Sequence, residues 1–223
     1  MCAQFMLRAS AKRLEAKYGI RIPPEFEETG WSARILPYGR APVVIRENGK
    51  RVLQMMQFSL LPAWSKEKRV KFATHNARLD GIADKPTWKR PFQERRCLVP
   101  ITDFIEPIYS GDLAGNMVDF HRPDQDILTA AGLWDEWIDS KSGEIIRSFT
   151  IITHDPVDFV AKIGHDRSPL FIEDSDAAEL DYWLDEQKRP ATELKEFLLR
   201  RRIEPELRVE KDRPLKAGWE KRR

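Results

Sequence analysis

The dipeptide Asn48-Gly49 is the feature that most constrains how this chain can fold. It separates two apolar runs, Val43-Val44-Ile45 and Val52-Leu53-Gln54-Met55. Asn-Gly is the pair that a type I′ turn favours, because both central residues of that turn have positive φ. The pattern therefore predicts a β-hairpin. We expect its second strand to run through Phe58 to Leu61 and to end at Pro62, which cannot donate a ladder hydrogen bond.

Other patterns place helices and further strands along the rest of the chain. Helices are predicted at 10–19 (Ser10 as N-cap, Gly19 as the stop), near 85–93, from Asp155-Pro156 to Gly164, and at about 176–187 and 192–202. Strands are predicted at 97–99, with Phe104-Ile105 as a continuation after a break, and at 127–133, 145–153 and 170–172, whereas 20–32 is expected to be a loop. There is no repeat or long linker. We therefore expect one mixed, β-rich α/β (α+β) domain over residues 2–205 and a basic C-terminal tail at 206–223.

The composition excludes several functions. Hydrophobic residues make up 41% of the 223 residues, so disorder of the whole chain is not expected. There is no apolar run of membrane-spanning length, and no basic and then apolar leader, so we expect a cytoplasmic protein. The net charge is only +2, so affinity for a nucleic acid would have to come from a local basic face. The two cysteines, Cys2 and Cys97, do not make a disulfide framework.

Cys2 has a chemistry of its own. If Met1 is removed, Cys2 becomes an N-terminal 1,2-aminothiol, with an amine and a thiol on adjacent carbons. This pair condenses with an aldehyde: the amine forms an imine, and the thiol then closes a five-membered thiazolidine on the same carbon. A cysteine at position 2 is by itself more often an accident. The hypothesis depends on whether the fold builds a pocket around this terminus.

Three further polar residues lie beside apolar segments, where burial would be costly without a purpose. They are Asn76, Glu106 and His165. Each has an ordinary alternative: Asn76 could be a helix cap, Glu106 a solvated loop residue before Pro107, and His165 a core or capping histidine. Taken one at a time, none of them supports a functional hypothesis.

Taken together, seven blocks of sequence occur in a recognisable order. They are Met1-Cys2, Leu61-Pro62-Ala63-Trp64, Asn76-Ala77-Arg78, Arg96–Pro100 with Phe104-Ile105-Glu106, Ala131-Gly132-Leu133-Trp134, Phe149–Thr153 and His165-Asp166-Arg167-Ser168-Pro169. This series resembles the SRAP (SOS response-associated peptidase) family, the abasic site processing proteins. The resemblance extends from residue 2 to about residue 172.

The resemblance implies a single SRAP-like domain with a β-barrel-like core, flanking helices and a groove for single-stranded DNA. Cys2 would form a covalent thiazolidine with the aldehyde of an abasic site after loss of Met1. Glu106 would be the acid/base of that reaction and would assist self-removal of Met1. Asn76 would orient the terminus or the opened sugar, and His165 would protonate the ring oxygen or the leaving hydroxyl. Release of the crosslink or a lyase activity would be a further property.

The resemblance also implies a set of DNA-binding residues. Trp64 offers a flat face for an unstacked base, and Arg78 and Arg167 can pair with phosphates. The other positions carried over are Gln4, Pro37 and Thr153. The family start usually reads Cys-Gly-Arg-Phe, whereas this chain has Cys2-Ala3-Gln4-Phe5, so one phosphate contact is lost. The basic run Lys66–Lys71 could follow the DNA backbone or be a solvated loop, and the sequence does not decide between the two.

Two other functions stay open. The chain could be a cysteine peptidase acting on other proteins, with Cys2 as nucleophile and His165 as base, or a non-covalent single-stranded DNA-binding protein. A zinc site of Cys2, Cys97, His75 and His165 lacks the CxxC spacing of such sites, so we expect no metal and no cofactor. The expected partner is single-stranded DNA with abasic sites, bound by a monomer without a membrane and located with the nucleoid or in the nucleus when acting on DNA.

The aminothiol hypothesis makes a prediction about covalent structure. We expect the intact mass of the purified protein to be lower than that of the full sequence by one methionine residue. Because a retained Met1 ties the Cys2 amine into a peptide bond, a full-length mass in the active protein would contradict the hypothesis.

Overall fold

The structure is a computed structural model that describes residues 4–22 and 31–222. Its strands are β1 (Gln4–Ala9), β2 (Trp31–Ile35), β3 (Arg40–Glu47), β4 (Lys50–Phe58), β5 (Asn76–Arg78), β6 (Arg96–Ile101), β7 (Asp103–Ile108), β8 (Asn116–His121), β9 (Leu128–Ile138), β10 (Ile145–His154), β11 (Ser168–Pro169) and β12 (Arg208–Pro214). Its α-helices are α1 (Ala11–Tyr18), α2 (Pro86–Glu94), α3 (Asp158–Ile163), α4 (Ala177–Leu184) and α5 (Ala191–Arg201). Single 3₁₀ turns occur at Leu79–Gly81 and Trp219–Arg222.

The predicted hairpin is confirmed and is part of the barrel wall. β3 and β4 pair in antiparallel register up to Glu47 opposite Lys50. The turn residues Asn48 and Gly49 have φ of 53° and 75°, as a type I′ turn requires. The extension of the second strand to Leu61 is wrong, because β4 ends at Phe58 and the next residue, Ser59, has φ of 85°. A positive φ at a non-glycine residue takes the chain out of the extended conformation.

Five strands form the closed β-barrel core that was expected. Following the hydrogen-bonded neighbours from β10 leads to β4, β3, β6 and β9, and β9 pairs again with β10. The β10–β4 contact is parallel and short, with Phe149 opposite Phe58, whereas the other four pairings are antiparallel. A closed sheet has no free edge to protect. The last residues of β10 continue beyond the ring and pair with β5 and β11.

A second sheet has the order β12-β8-β7-β1-β2. The expectation that Phe104-Ile105 continues the strand of Cys97 is therefore wrong, because β6 lies in the barrel and β7 lies in this second sheet. The chain changes sheet at Thr102, whose backbone N–H donates to the Met6 carbonyl oxygen at 2.9 Å. β7 then pairs with β1, with Gln4 opposite Ile105.

Three phenylalanines join the second sheet to the barrel. Phe5 on β1 packs edge-on against Phe58 of β4, with ring centroids 5.2 Å apart. Phe58 contacts Phe149 of β10 at 5.3 Å, and Phe149 contacts Phe5 at 6.3 Å. All three rings are fully buried. The beginning of β1 is therefore held against the barrel at the point where β4 and β10 pair.

The predicted helices differ from the observed ones mainly at one boundary. α1 has the expected caps: Ser10 accepts from the backbone N–H of Arg13, and Gly19 has φ of 62°. The start of α3 at Asp155-Pro156 is wrong, since the N-cap is Val157. The carbonyl oxygens of Asp155 and Pro156 instead accept hydrogen bonds from the Arg202 guanidinium, at 3.1 and 3.3 Å. A tertiary contact thus replaces the local capping pattern.

The segments at the ends of the predicted domain also have defined positions. The strand expected at 170–172 is shorter and earlier: β11 is Ser168–Pro169, and Phe171 and Ile172 make only isolated bridges. Residues 208–214 form β12 and pair with β8. The domain boundary at residue 206 stays a prediction. Of the loop expected at 20–32, residues 23–30 lie outside the described residues, and β2 begins at Trp31.

In the described part of the chain, the helices are all too short and too polar to span a membrane.

Gly132 is a position at which a substitution can test how closely the barrel wall is packed. It lies on β9 between Cys97 of β6 and Ile151 of β10. A Cβ atom here would lie 2.7 Å from Val99 Cγ2 and 2.9 Å from the Thr150 carbonyl oxygen. We expect Gly132→Ala to lower the free energy of unfolding by about 1–3 kcal/mol, as overpacking does, measured by urea denaturation.

Gly81→Ala is the matched control. A Cβ at Gly81 meets only the flexible Lys85 side chain, at 3.5 Å. We expect this variant to stay within about 0.5 kcal/mol of the wild type. Equal effects of the two substitutions would contradict the packing described for the barrel wall.

Candidate functional site

Glu106 is a carboxylate placed inside the protein. It lies on β7 between Ile105 and Pro107, and its side chain is on the same face of the strand as that of Phe104, towards the core. It is fully buried. Its Oε2 atom lies 3.3 Å from Nε2 of His165. A buried carboxylate is tolerated only where a partner compensates the loss of hydration, and the imidazole is such a partner.

His165 is positioned by the end of α3. Gly164 ends that helix with φ of 104°, and a Cβ there would lie 2.7 Å from the Ser110 carbonyl oxygen, so only glycine fits. The Nδ1 atom of His165 lies 2.9 Å from the Arg167 carbonyl oxygen. The Arg167 backbone nitrogen also lies close to this Nδ1 atom, at 3.2 Å, so one residue fixes the orientation of the imidazole ring. A carboxylate and an imidazole are side chains that commonly serve as general acids and bases in proteins.

A pocket of about 210 Å³ is lined by four of the residues predicted from the sequence. They are Asn76, Arg78, Thr153 and Arg167. Strand pairing brings the first three together: on β5 and β10, Asn76 lies opposite Ile151 and Arg78 opposite Thr153. Arg167 enters from the loop that carries His165. Residues spread over more than ninety positions of sequence thus line one cavity.

The pocket presents polar groups that the described protein does not saturate. Thr153 is fully buried, and its Oγ1 atom makes no hydrogen bond to any described residue. The same holds within the described ranges for Nε of Arg167, whose side chain is 22% exposed. Arg78 is at the rim, where Nε donates to Asp80 Oδ2 at 2.8 Å. An anionic ligand would satisfy these donors, because hydrogen bonds from guanidinium groups to phosphate oxygens are strong.

His75 was considered from the sequence only as a zinc ligand, and the structure places it in the pocket wall. It contacts Phe58 edge-on, with ring centroids 6.0 Å apart. Burial lowers the pKa of His75 below 6.5, while the Glu106 carboxylate acts in the opposite direction. Phe72, 48% exposed, and Trp88 also line the pocket and were missed. His75 and Phe72 could have been predicted to line this pocket, because they are close to Asn76 in the sequence.

Pro37, Gln4 and Trp64 are not in this pocket. Pro37 lines an adjoining cavity of about 280 Å³ that shares the His75 and Phe72 walls. Gln4 lies on β1, where its Oε1 atom accepts from Arg34 and Arg213 at 3.3 and 3.0 Å. Trp64 is 56% exposed in the loop after β4. Cys2 lies outside the described residues.

The basic run 66–71 is partly engaged by the protein itself. Lys68 forms an ion pair with Glu144. The Arg69 guanidinium lies over the Tyr38 ring, 5.0 Å from its centroid. These two side chains therefore belong to the surface structure around β10 and the β2–β3 connection, and the run is not a uniformly free cationic strip.

One group of described residues could hold a metal ion. Ligand atoms of Asp103, Asp119 and His121 lie within 4.8 Å of one another on the outer face of the second sheet. The Arg8 guanidinium partly compensates the negative charge of the two carboxylates, at 3.4 Å from Asp103 and 3.9 Å from Asp119. Burial and Asp103 raise the pKa of Asp119 to about 6. In the described ranges, Cys97, His75 and His165 form no such group, and burial raises the pKa of the Cys97 thiol.

The fold and site together define a mixed α/β barrel protein with a buried acid–histidine pair beside a pocket lined by arginines. The family model of the SOS response associated peptidases (SRAP) matches residues 1–211. The chain therefore belongs to the SRAP family.

Relatives of known name agree with this assignment. The abasic site processing protein YoqW of Bacillus subtilis (strain 168) is 25% identical over 185 residues, which is 82% of this chain and 80% of that protein. The abasic site processing protein HMCES of Gallus gallus is 30% identical over 233 residues, covering 86% of this chain and 68% of that one.

Solved structures share the fold. A crystal structure of a Bacteroides thetaiotaomicron protein has a TM-score of 0.74 at 22% identity and covers 95% of this chain and 92% of its own. One from Bordetella bronchiseptica has the same TM-score at 21% identity, covering 95% and 100%.

The lowered pKa of His75 predicts a pH dependence of stability. Since the unfolded chain binds this proton at a higher pH than the folded one, stability rises with pH towards about 6.5 and is lost as pH falls below it. We expect His75→Gln to lose less stability than the wild type between about pH 7 and pH 5. Urea denaturation at a series of pH values measures this. Parallel curves for the two proteins over that range would show that His75 does not titrate differently on folding.

Proposed function

We propose that this protein captures abasic sites in single-stranded DNA by forming a covalent thiazolidine through Cys2, once Met1 has been removed. The names of the relatives support abasic site processing as the broader role. The chemistry of an N-terminal aminothiol supports the covalent step, because the open form of an abasic sugar is an aldehyde. The crosslink would shield the lesion.

The buried Glu106–His165 pair is the observation that carries the proposal. Gln4 lies opposite Ile105, next to Glu106 on β7. Cys2 precedes Gln4 by two residues, and two residues span at most about 7 Å. In this proposal, the aminothiol would therefore react close to an acid–histidine pair. An isolated reactive terminus would have no such partner.

The reaction needs proton transfers that this pair can supply. The amine of Cys2 adds to the aldehyde carbon, and its proton passes through Glu106 to the aldehyde oxygen, which becomes the carbinolamine hydroxyl. This hydroxyl leaves as water after protonation by His165, and the nitrogen then returns its second proton to the pair, which gives the imine. The Cys2 sulfur adds to the imine carbon while the thiol proton passes through the pair to the nitrogen, which closes the thiazolidine. Each step has a donor or acceptor within the pair. Asn76 would orient the opened sugar from the pocket wall.

The surrounding side chains fit a single strand of DNA. Arg78, Arg167 and Thr153 would bind phosphate oxygens next to the abasic sugar. Trp64 would stack on an unpaired base, a contact that contributes about 1–3 kcal/mol. Pro37 would line the path of the DNA strand in the adjoining cavity, and Gln4 would contact the DNA beside Cys2.

Self-processing would precede capture. Removal of Met1 is the hydrolysis of one peptide bond, with Glu106 as the base that activates water. This single cleavage would account for a peptidase activity without a groove for protein substrates. Reversal of the thiazolidine, or a lyase reaction on the bound sugar, would use the same acid and base in the opposite direction.

Crosslinking tests the role of Cys2. Incubation with single-stranded DNA that carries an abasic site should give a product that survives a denaturing gel. Cys2→Ala should give none, because both the thiol and the ring closure are lost. The control is Cys97→Ala, which removes the other, buried cysteine and should still crosslink. A stable crosslink with Cys2→Ala would refute the proposal.

The proton-transfer pair makes a separate prediction about rate. We expect Glu106→Gln and His165→Gln to slow crosslink formation by about 10²-fold or more, as loss of general acid–base catalysis does. Asp119→Asn is the matched control: a carboxylate of low exposure on the neighbouring strand β8, at the outer face of the same sheet. It should crosslink at the wild-type rate. Equal slowing by all three variants would point to a loss of structure instead.

A further inference from the structure

A third cavity lies at the end of β12, and it shares no lining residue with the two described above. It has a volume of about 330 Å³, within the range of small-ligand sites. Two aromatic residues, Tyr109 and Trp219, and two cationic residues, Arg213 and Lys216, line it. Gln4 forms its remaining polar wall. Most of these residues follow position 211, where the match to the family model ends.

The wall of this cavity is a built structure. Arg213 lies on β12 opposite Met117 of β8. Beyond the strand, the backbone N–H of Leu215 donates to the Gly115 carbonyl oxygen at 2.8 Å. The Trp219 ring lies directly over Gly115, where a Cβ would come within 3.0 Å of the ring. Residues 213–219 are therefore held in place against the loop between β7 and β8.

The lining combines the two kinds of group that bind a nucleotide. The rings of Tyr109 and Trp219 contact each other, with centroids 6.5 Å apart and planes inclined by 36°, so together they offer an aromatic surface against which a base can lie. The Arg213 side chain is held in one orientation, because its guanidinium donates to Gln4 Oε1 at 3.0 Å and to Asp212 Oδ2 at 2.5 Å. Lys216 is exposed and can reach a phosphate. Aromatic faces with cations are the features by which proteins hold single-stranded nucleic acids.

Residues that line this cavity are also close in sequence to residues of the proposed reaction centre. Tyr109 follows Glu106 by three residues, a distance of about 10 Å along a strand. The neighbouring Ser110 packs against Gly164, which precedes His165. Gln4, which also lines the cavity, is two residues from Cys2 in the sequence. A DNA strand that places its abasic sugar at Cys2 would thus have a flanking nucleotide within reach of this cavity.

We propose that residues 213–219, together with Tyr109, form a nucleotide subsite for DNA flanking the abasic site. The base lies against Trp219 and Tyr109, and its phosphate contacts Lys216. This inference rests on the proposed function and adds a binding position that the arginine-lined pocket does not supply. It assigns the C-terminal segment a part in DNA binding.

The test uses the full chain and oligonucleotides that carry a tetrahydrofuran abasic analogue. The analogue has no aldehyde, so fluorescence anisotropy reports binding without the covalent step. Nucleotides are added one at a time on the 5′ or the 3′ side. In the wild type, affinity should rise at one length on one side only. Trp219→Leu should remove that rise, weakening binding by about 5- to 100-fold for strands that reach the subsite.

Lys216→Gln provides an independent readout that does not depend on packing. It should make the slope of log affinity against log salt concentration less steep by about 0.7, the value for one phosphate contact on single strands. Its control is Lys50→Gln, which removes an exposed lysine from the hairpin end of β4 and should leave the slope unchanged. Thermal unfolding checks that Trp219→Leu is folded. If it is not, the salt slope of Lys216→Gln decides.

The outcomes separate this inference from the proposed function. If the wild type crosslinks abasic DNA while both variants keep its length dependence and salt slope, the subsite is wrong and the function stands. If the wild type does not crosslink but the variants lose the added affinity, the covalent function is wrong and the subsite stands.

Discussion

The contact among Phe5, Phe58 and Phe149 holds the second sheet against the barrel, and the arrangement of the candidate site depends on it. Burying each ring contributes about 1.5–3 kcal/mol, and aromatic pairs of this geometry add about 0.5–1.5 kcal/mol. The cluster fixes β1 against the barrel at the β4–β10 pairing. From there the antiparallel register places Gln4 beside β7 and its Glu106. The position of Gln4 beside β7 is thus a consequence of core packing.

The buried pair of Glu106 and His165 shows how the two sheets share one site. The carboxylate comes from the second sheet, whereas the imidazole comes from the loop between α3 and β11, which the last residues of β10 hold in place. Each group alone in the core would be costly to desolvate, and together they compensate each other. The arrangement exists only when the barrel is closed and the second sheet is docked. The site therefore depends on the packing of the two sheets against each other.

The elements that could be predicted are those specified by neighbouring residues. The Asn48-Gly49 turn and the caps of α1 are local chemistry, and the structure has them as expected. Two of the failures occurred where a distant group intervened. The Arg202 guanidinium donates hydrogen bonds to the carbonyl oxygens of Asp155 and Pro156. The Thr102 backbone N–H donates to Met6 of β1, and the chain passes there from the barrel into the second sheet. Neither partner is near in sequence, so no local pattern could have signalled it.

The sequence by itself determined which chemical groups are present: a cysteine at position 2, a carboxylate after an apolar pair, a histidine after a helix-ending glycine, and a family pattern that carries the fold. Only the tertiary structure decided which of these meet. It brought Asn76, Thr153 and Arg167 to one pocket, left Gln4 and Trp64 outside it, and added His75 and the cavity beneath Trp219. The physical reason is that a residue's identity and its local conformation depend on near neighbours. Burial, strand pairing and charge compensation depend on residues a hundred positions away.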